Sequence, residues 1–146
     1  VSVGSDTNEH RGKNGLAVRA DQVARDVTVD GFDGLVIPGG WAPDKMRRDP
    51  AIVALVQGAQ ERDLPIGIIC HGGSVAISAG IVPGRRVTGS LGIKDDLVNA
   101  GGTWVDEPAF RDGNQVWGRV VADIPAFERE LVALLVEVAG RDAPTD

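Results

Sequence analysis

The chain has 146 residues, 42% of them hydrophobic and 25% charged, which is the size and composition of one globular domain (1–146) and excludes disorder and a coiled coil. Fifteen Lys and Arg against 21 Asp and Glu leave a net charge of −6, too acidic for a broad cationic face, so nucleic acid is not an expected partner. A single cysteine, Cys70, rules out an internal disulfide and a Cys-rich zinc site and suits a reducing cytoplasm, while no stretch approaches the ~18 apolar residues of a membrane span.

Val1 to Ser5 alternates as a strand does, starting mid-pattern with no turn before it, and Asp6 to Gly15 is polar and reads as a loop. Leu16 to Ala20 is a short candidate strand. Leu35-Val36-Ile37 is a continuous apolar run ended by Pro38-Gly39-Gly40, the pattern of a strand buried on both faces in a parallel sheet. Asp49-Pro50 then starts a helix: the carboxylate can accept free N–H groups, and proline at the first helical position has no N–H to orphan. Ile52, Val53, Leu55, Val56 and Ala59 make its apolar stripe to about Arg62, and a second buried strand, Pro65 to Ile69, completes a βαβ unit. Cys70-His71-Gly72-Gly73 follows at a strand-to-helix turn, with a short helix Ser74 to Ala79 stopped by Gly80. Further on come strands Arg86–Thr88 and Thr103–Val105 around a helix Lys94–Ala100. A strand Gln115–Val121 follows the Asp112-Gly113-Asn114 turn, and Asp123 caps a last helix through Glu137. In that helix Phe127, Leu131, Leu134, Leu135 and Val138 point inward, and the tail from Arg141 is expected to fray. Alternating strands and helices predict an α/β sandwich, mainly parallel, with helices on both faces.

In open α/β sheets, sites collect beyond the C-terminal ends of the strands, which here carry Pro38-Gly39-Gly40 and Cys70-His71-Gly72. A thiol on a sharp strand-to-helix turn projects clear of the sheet, as on a nucleophile elbow, and the positive end of the helix favours thiolate over thiol. Two readings of Cys70 stand at this point: an activated nucleophile, or a small buried hydrophobe. His71 is its partner, or merely lines the turn, since adjacent residues normally point apart. Gly39 and Gly40 form a tight turn or offer backbone N–H groups to an oxyanion, as does His71.

Phe32-Asp33-Gly34-Leu35-Val36-Ile37-Pro38-Gly39-Gly40 with Ala42-Pro43, then Ile69-Cys70-His71-Gly72 and Ile77-Ser78-Ala79-Gly80, resemble the ThiJ/PfpI superfamily and its PfpI intracellular-protease branch. Ile93-Lys94-Asp95-Asp96-Leu97, Asn99-Ala100-Gly101, Trp104-Val105-Asp106, Asp112-Gly113-Asn114 and Ala122-Asp123 continue the match. The resemblance implies a flavodoxin-like three-layer sandwich of the class I glutamine amidotransferase type, with Cys70 as nucleophile and His71 as its partner. A carboxylate from a neighbouring subunit completes that arrangement in the branch, and Asp44 holds its position, so a homo-oligomer, dimer or higher, is expected. Trp41, Ser90 and Arg119 are the candidate substrate contacts, with Ser90 standing where the family often has tyrosine. No metal or cofactor is implied. The chain begins after the strand and helix that usually open the family fold, and so lacks the glutamate that hydrogen-bonds the nucleophilic sulfur. We expect the natural polypeptide to be longer by that unit.

The function implied is attack by the Cys70 thiolate on a peptide carbonyl, as in an intracellular protease, or on a reactive aldehyde, as in a glyoxalase or deglycase. The alternatives are a redox-responsive stress or chaperone-like protein with an oxidisable Cys70, and an inactive assembly subunit.

Overall fold

A computed structural model describes residues 1–12 and 14–141. In chain order the elements are β1 (Val3–Gly4), β2 (His10–Arg11), β3 (Ala17–Val18), β4 (Gln22–Val23), β5 (Leu35–Ile37), α1 (Ala42–Met46), α2 (Pro50–Glu61), β6 (Ile66–Ile69), α3 (Gly73–Ser78), β7 (Arg86–Val87), α4 (Lys94–Asn99), β8 (Thr103–Trp104), β9 (Ala109–Asp112), β10 (Gln115–Gly118) and α5 (Ile124–Arg141). The main sheet has the order β5-β6-β10-β9, with β5, β6 and β10 parallel and β9 antiparallel to β10. The crossover from β5 through α2 to β6 is the βαβ unit that the two apolar runs predict.

The alternation of a strand separates two cores. Ile66 and Ile68 of β6 and Trp117 of β10 join the buried stripe Ile52, Leu55, Val56 and Ala59 of α2 and Val75 and Ala76 of α3. On the other face Ile69 and Val116 meet Phe127, Leu131, Leu134 and Val138 of α5. The glycines that interrupt these strands let α5 approach: a Cβ at Gly67 would lie 2.8 Å from Phe127 Cζ, and one at Gly118 2.9 Å from Phe127 Cδ2. Helices thus cover both faces of a mainly parallel sheet, as expected. Among the described residues, no helix is long and apolar enough to cross a membrane.

A hydrogen-bond network satisfies the buried indole and side-chain amides of the first core. Trp117 Nε1–H donates to Gln115 Oε1 at 3.0 Å, and Gln115 Nε2 donates to Gln60 Oε1 at 2.7 Å and to the Ile81 carbonyl at 3.0 Å. Gln60 Nε2 reaches Asn114 Oδ1 at 3.2 Å, and Asn114 Nδ2 donates to the Leu64 carbonyl at 2.9 Å. The network ties β10 to α2 and to the turn after α3, and it satisfies groups that would each cost about 1–3 kcal/mol if buried unpaired.

Asp49 caps α2 as the sequence predicts, its Oδ1 accepting the Ala51 N–H at 2.9 Å. The Ser5 hydroxyl beside it, with the Ala51 and Ile52 N–H groups, holds its carboxyl below the usual carboxylate range. Asp49→Ala is therefore expected to cost about 1 kcal/mol at neutral pH, read by urea denaturation. A carboxyl whose folded pKa is depressed stabilises fully above its unfolded value of 3.8 and loses that contribution as the pH falls through the folded one. The gap between wild type and Asp49→Ala should therefore close below 3.8.

Several elements differ from the sequence expectation. The segment read as a loop carries β2, which pairs with β3 as an antiparallel hairpin, and β4 pairs in parallel with β1. β1 and β3 lie within the expected strands Val1–Ser5 and Leu16–Ala20, whereas β2 and β4, two residues each with little burial, carry no apolar period to mark them. β9, which follows Pro108 and mixes polar with apolar residues, was not expected either, and neither was the single-turn α1. The strand from Gln115 ends at Gly118 rather than Val121: the Arg119 N–H bonds the Pro108 carbonyl, and a 3₁₀ turn occupies Val121–Asp123. Asp123 precedes α5, but its carboxylate accepts from Arg119. The last helix includes Arg141, and the rest of the tail lies outside the described residues. Finally, β5 reads as buried on both faces, yet Val36 is 55% exposed. The sheet partner of β5 among the described residues is β6 alone, and α5 lies over β6, β9 and β10, leaving Val36 beside an open groove with Leu131 and Leu135. β6 is paired on both sides.

Candidate functional site

Because β5 and β6 run parallel with Ile37 opposite Ile68, the turns that follow them emerge side by side. A Cβ at Gly39 would lie 2.6 Å from Cys70 Cβ and 3.2 Å from its Sγ, so the thiol rests directly on the Pro-Gly-Gly turn. Cys70 opens a one-turn 3₁₀ helix, Cys70–Gly72, that feeds α3, and its φ is +58°. A non-glycine residue there is strained by roughly 1–2 kcal/mol and persists only when its surroundings impose it.

Those surroundings are glycines packed against backbone. A Cβ at Gly72 would lie 2.6 Å from the Ile37 carbonyl oxygen, and one at Gly89 would lie 2.8 Å from the Cys70 carbonyl oxygen. The Ser90 N–H donates to that same Cys70 carbonyl at 3.3 Å. The elbow is thus clamped between the end of β5 and the 88–90 turn. Sequence reasoning singled out Gly39 and Gly72 but missed Gly89 and Gly92, whose closeness to the site depends on contacts across about twenty residues of chain.

The left-handed turn breaks the alternation that would point neighbours apart, and His71 Nδ1 comes to 3.4 Å from Cys70 Sγ, within hydrogen-bond reach for sulfur. Cys70 is half-buried. The Trp41 ring lies over the imidazole, centroid to centroid 5.8 Å with planes 31° apart. A Cβ at Gly92 would lie 3.5 Å from His71 Nε2 and 3.8 Å from Ser90 Oγ, and Ser90 Oγ accepts the Gly92 N–H at 3.4 Å. The structure therefore gathers Cys70, His71, Gly39, Trp41 and Ser90 at one place, with Gly40 next in the turn at φ +74°.

Two candidates stand apart. Asp44 sits on α1 with its carboxylate accepting from Arg48 one turn on, its side chain 60% exposed, and within this chain it makes no hydrogen bond to His71. Arg119 leaves the sheet at the same end as Cys70, one residue beyond Gly118, which pairs with Ile69. Its guanidinium, however, is held by Asp123, at 3.0 Å from Nε, and by Asp106, at 2.7 Å from Nη1. Asp123 and then Asp106 raise it well above the ordinary arginine range, so it is a matched cation.

Comparison with known proteins identifies the family. The sequence profile of the DJ-1/PfpI family matches residues 1–134. A protein named as a deglycase from Pyrococcus abyssi is 44% identical over 124 residues, 85% of this chain and 75% of its own length. YraA of Bacillus subtilis, which carries the name of a candidate cysteine protease, is 37% identical over 127 residues, 87% of this chain and 75% of its own. Among solved structures, a two-domain Anabaena variabilis protein with DJ-1/ThiJ/PfpI-like and ferritin-like domains superposes with a TM-score of 0.84 at 36% identity, covering 97% of this chain and 40% of that one. DJ-1 of Schizosaccharomyces pombe shares the fold at TM-score 0.76 and 18% identity, over 95% of this chain and 80% of that one. A profile match over nearly the whole described length, relatives at this identity and a cysteine elbow at the end of a parallel strand lead to one assignment: the chain belongs to the DJ-1/PfpI family.

Proposed function

We propose that this chain is a cysteine-nucleophile enzyme acting on small reactive aldehydes, with Cys70 as nucleophile and His71 as its proton carrier. The observation that supports it best is the left-handed Cys70, whose Sγ stands 3.4 Å from His71 Nδ1 at the mouth of the sheet. His71 takes the thiol proton as Sγ bonds to the aldehyde carbon, and the carbonyl electron pair moves to oxygen, beside the backbone N–H groups of Gly39, Gly40 and His71. The oxyanion takes the proton back, giving a hemithioacetal. With a 2-oxoaldehyde, His71 then moves the proton from the first carbon to the second through an enediol, which oxidises the first to a thioester and reduces the second to an alcohol. Water cleaves the thioester, releasing a hydroxy acid and restoring the thiol. The balance is aldehyde plus water in, hydroxy acid out.

Relatives that are 41–44% identical and named as deglycases favour the aldehyde. The candidate-protease name of YraA favours the second reading, in which the same thiolate attacks a peptide carbonyl. Incubation with methylglyoxal and, separately, with a fluorogenic peptide distinguishes them: loss of aldehyde with formation of lactate is the expected result. Peptide cleavage without aldehyde loss would replace this reading by the protease one. Inertness toward both, with peroxide oxidising Cys70, would favour the redox protein.

Asp44 enters this proposal from a second subunit: its carboxylate, paired with Arg48 but 60% exposed on its own chain, exchanges that partner for His71 of a neighbour and orients the imidazole. Asp44→Asn and Cys70→Ala, each weak or inactive alone, should then regain activity when mixed, up to about a quarter of wild type. That is the share of intact sites among randomly exchanged dimers. A strictly monomeric protein with full turnover would refute the shared site.

A further inference from the structure

We infer that Trp41 is the positioning residue of His71: it fixes the plane of the imidazole so that Nδ1 stays on the Cys70 sulfur. This inference rests on the proposed roles of Cys70 and His71, and it makes Trp41 act through His71 where the sequence suggests a substrate contact. Nδ1 meets Sγ at 3.4 Å, and among the described residues neither ring nitrogen has another hydrogen-bond partner. One hydrogen bond to sulfur leaves rotation about the Cβ–Cγ bond, a broad torsion in histidine, weakly restrained. A general base must nevertheless keep its nitrogen within reach of the proton, and a displacement of about 1 Å can cost a hundredfold in rate.

Trp41 supplies the restraint. Its ring centroid is 5.8 Å from that of His71 with the planes 31° apart, inside the range of about 4.5–7 Å that aromatic pairs keep and nearer to offset stacking than to edge-to-face contact. Turning the imidazole out of that plane gives up the contact. Of the two orientations, half a turn apart, that keep it, one puts Nδ1 on Sγ and the other puts Cδ2 there, so the plane and the hydrogen bond together select a single one. Both backbones are set before the rings meet. Gly39 packs on Cys70, Gly40 turns the chain at φ +74°, and α1 begins at Ala42 with Pro43 in its first turn, while Gly72, next to His71, abuts the Ile37 carbonyl oxygen. The indole is 79% exposed and belongs to neither core, so its replacement leaves the fold intact. In the shared-site reading, Asp44 of a second subunit bonds a ring nitrogen in the plane of the imidazole, whereas Trp41 packs against that plane, so neither takes the other's place.

The chain has two histidines and one cysteine, so ring resonances and alkylation read the site without turnover. The ring current of the indole displaces the His71 ring-proton resonances: Trp41→Ala should abolish that displacement and Trp41→Phe keep most of it, while those of His10, paired with Asp6, stay where they are. In alkylation, Sγ displaces iodide from iodoacetamide and forms a thioether, its proton passing to His71. Trp41→Ala should slow this step by about two- to tenfold, the range of one aromatic contact, and Trp41→Phe should largely restore it. In a His71→Ala background the same substitution should change nothing, since Trp41 acts through the imidazole. Methylglyoxal turnover should fall in kcat with KM unchanged. Resonances that Trp41→Ala leaves unmoved, equal slowing with and without His71, or a loss confined to KM would each overturn the inference, and the last would return Trp41 to a substrate contact. Slowed alkylation in protein inert toward methylglyoxal and peptide would remove the proposed reaction but keep the role of Trp41. Methylglyoxal turnover with alkylation that Trp41→Ala leaves unchanged would remove only the latter.

Discussion

Cys70→Ala should lose methylglyoxal turnover by at least about a thousandfold, some 4 kcal/mol of transition-state stabilisation, while the protein stays folded. The loss is large because each covalent step of the proposed reaction runs through Sγ, and without it that reaction keeps a base, His71, but has no nucleophile. Folding survives because the substitution removes one sulfur from a half-buried position and leaves the +58° backbone as it was, strained equally for both residues. Cys70→Gly makes the strain visible: it should be inactive too, yet more stable than Cys70→Ala by about 1 kcal/mol, since glycine adopts this conformation without penalty. Parallel turnover assays and thermal melts check both parts. Turnover above a tenth of wild type in Cys70→Ala would move the chemistry to another residue.

Gly39→Ala is expected to have the second largest effect, without removing any reacting group. The new methyl would sit 2.6 Å from Cys70 Cβ, closer than real side-chain carbons come, and a tight 3.3 Å from the Ile69 carbonyl oxygen. Neither neighbour is the free end of a flexible chain, so the elbow itself must move. A displacement of about 1 Å at a reacting atom can cost a hundredfold in rate, and overpacking costs typically about 1–3 kcal/mol. Gly39→Ala should therefore lose about a hundredfold in turnover and melt measurably lower. Gly31→Ala is the control, because a Cβ there meets nothing within 4 Å. Equal behaviour of the two variants would show that the site tolerates movement of the thiol, and the clamp argument would fail.

The parts of the fold legible in the sequence are those whose cause is local. Leu35 to Ile37, the Asp49-Pro50 cap and the stripe of α2 each announce themselves within a dozen residues, because strand burial, capping and helical period act over that span. β2, β4 and β9 do not, since two residues with little burial, or four mixed ones, acquire strand geometry only from the partner they pair with. The helical turn of α1 is set off by Pro43 near its start, a signal too short to separate from the Pro-Gly-Gly turn before it.

The candidate site divides the same way. Order along the chain was enough to put Cys70 at the end of a buried parallel strand beside Gly39, because parallel strands deliver their C-terminal turns to one edge of the sheet. Motif resemblance was enough to name the family and to single out His71 and Asp44. The tertiary structure decided which neighbours each group meets there. It sets the +58° φ that swings Cys70 and His71 to the same side, through contacts of Gly39 and Gly89 with Cys70 and of Gly72 with the end of β5. It gives Arg119 to Asp106 and Asp123, and Asp44 to Arg48. These outcomes depend on which atoms meet across long stretches of chain, or one turn apart on a helix the sequence did not announce, and neither hydrophobic period nor turn chemistry carries that information.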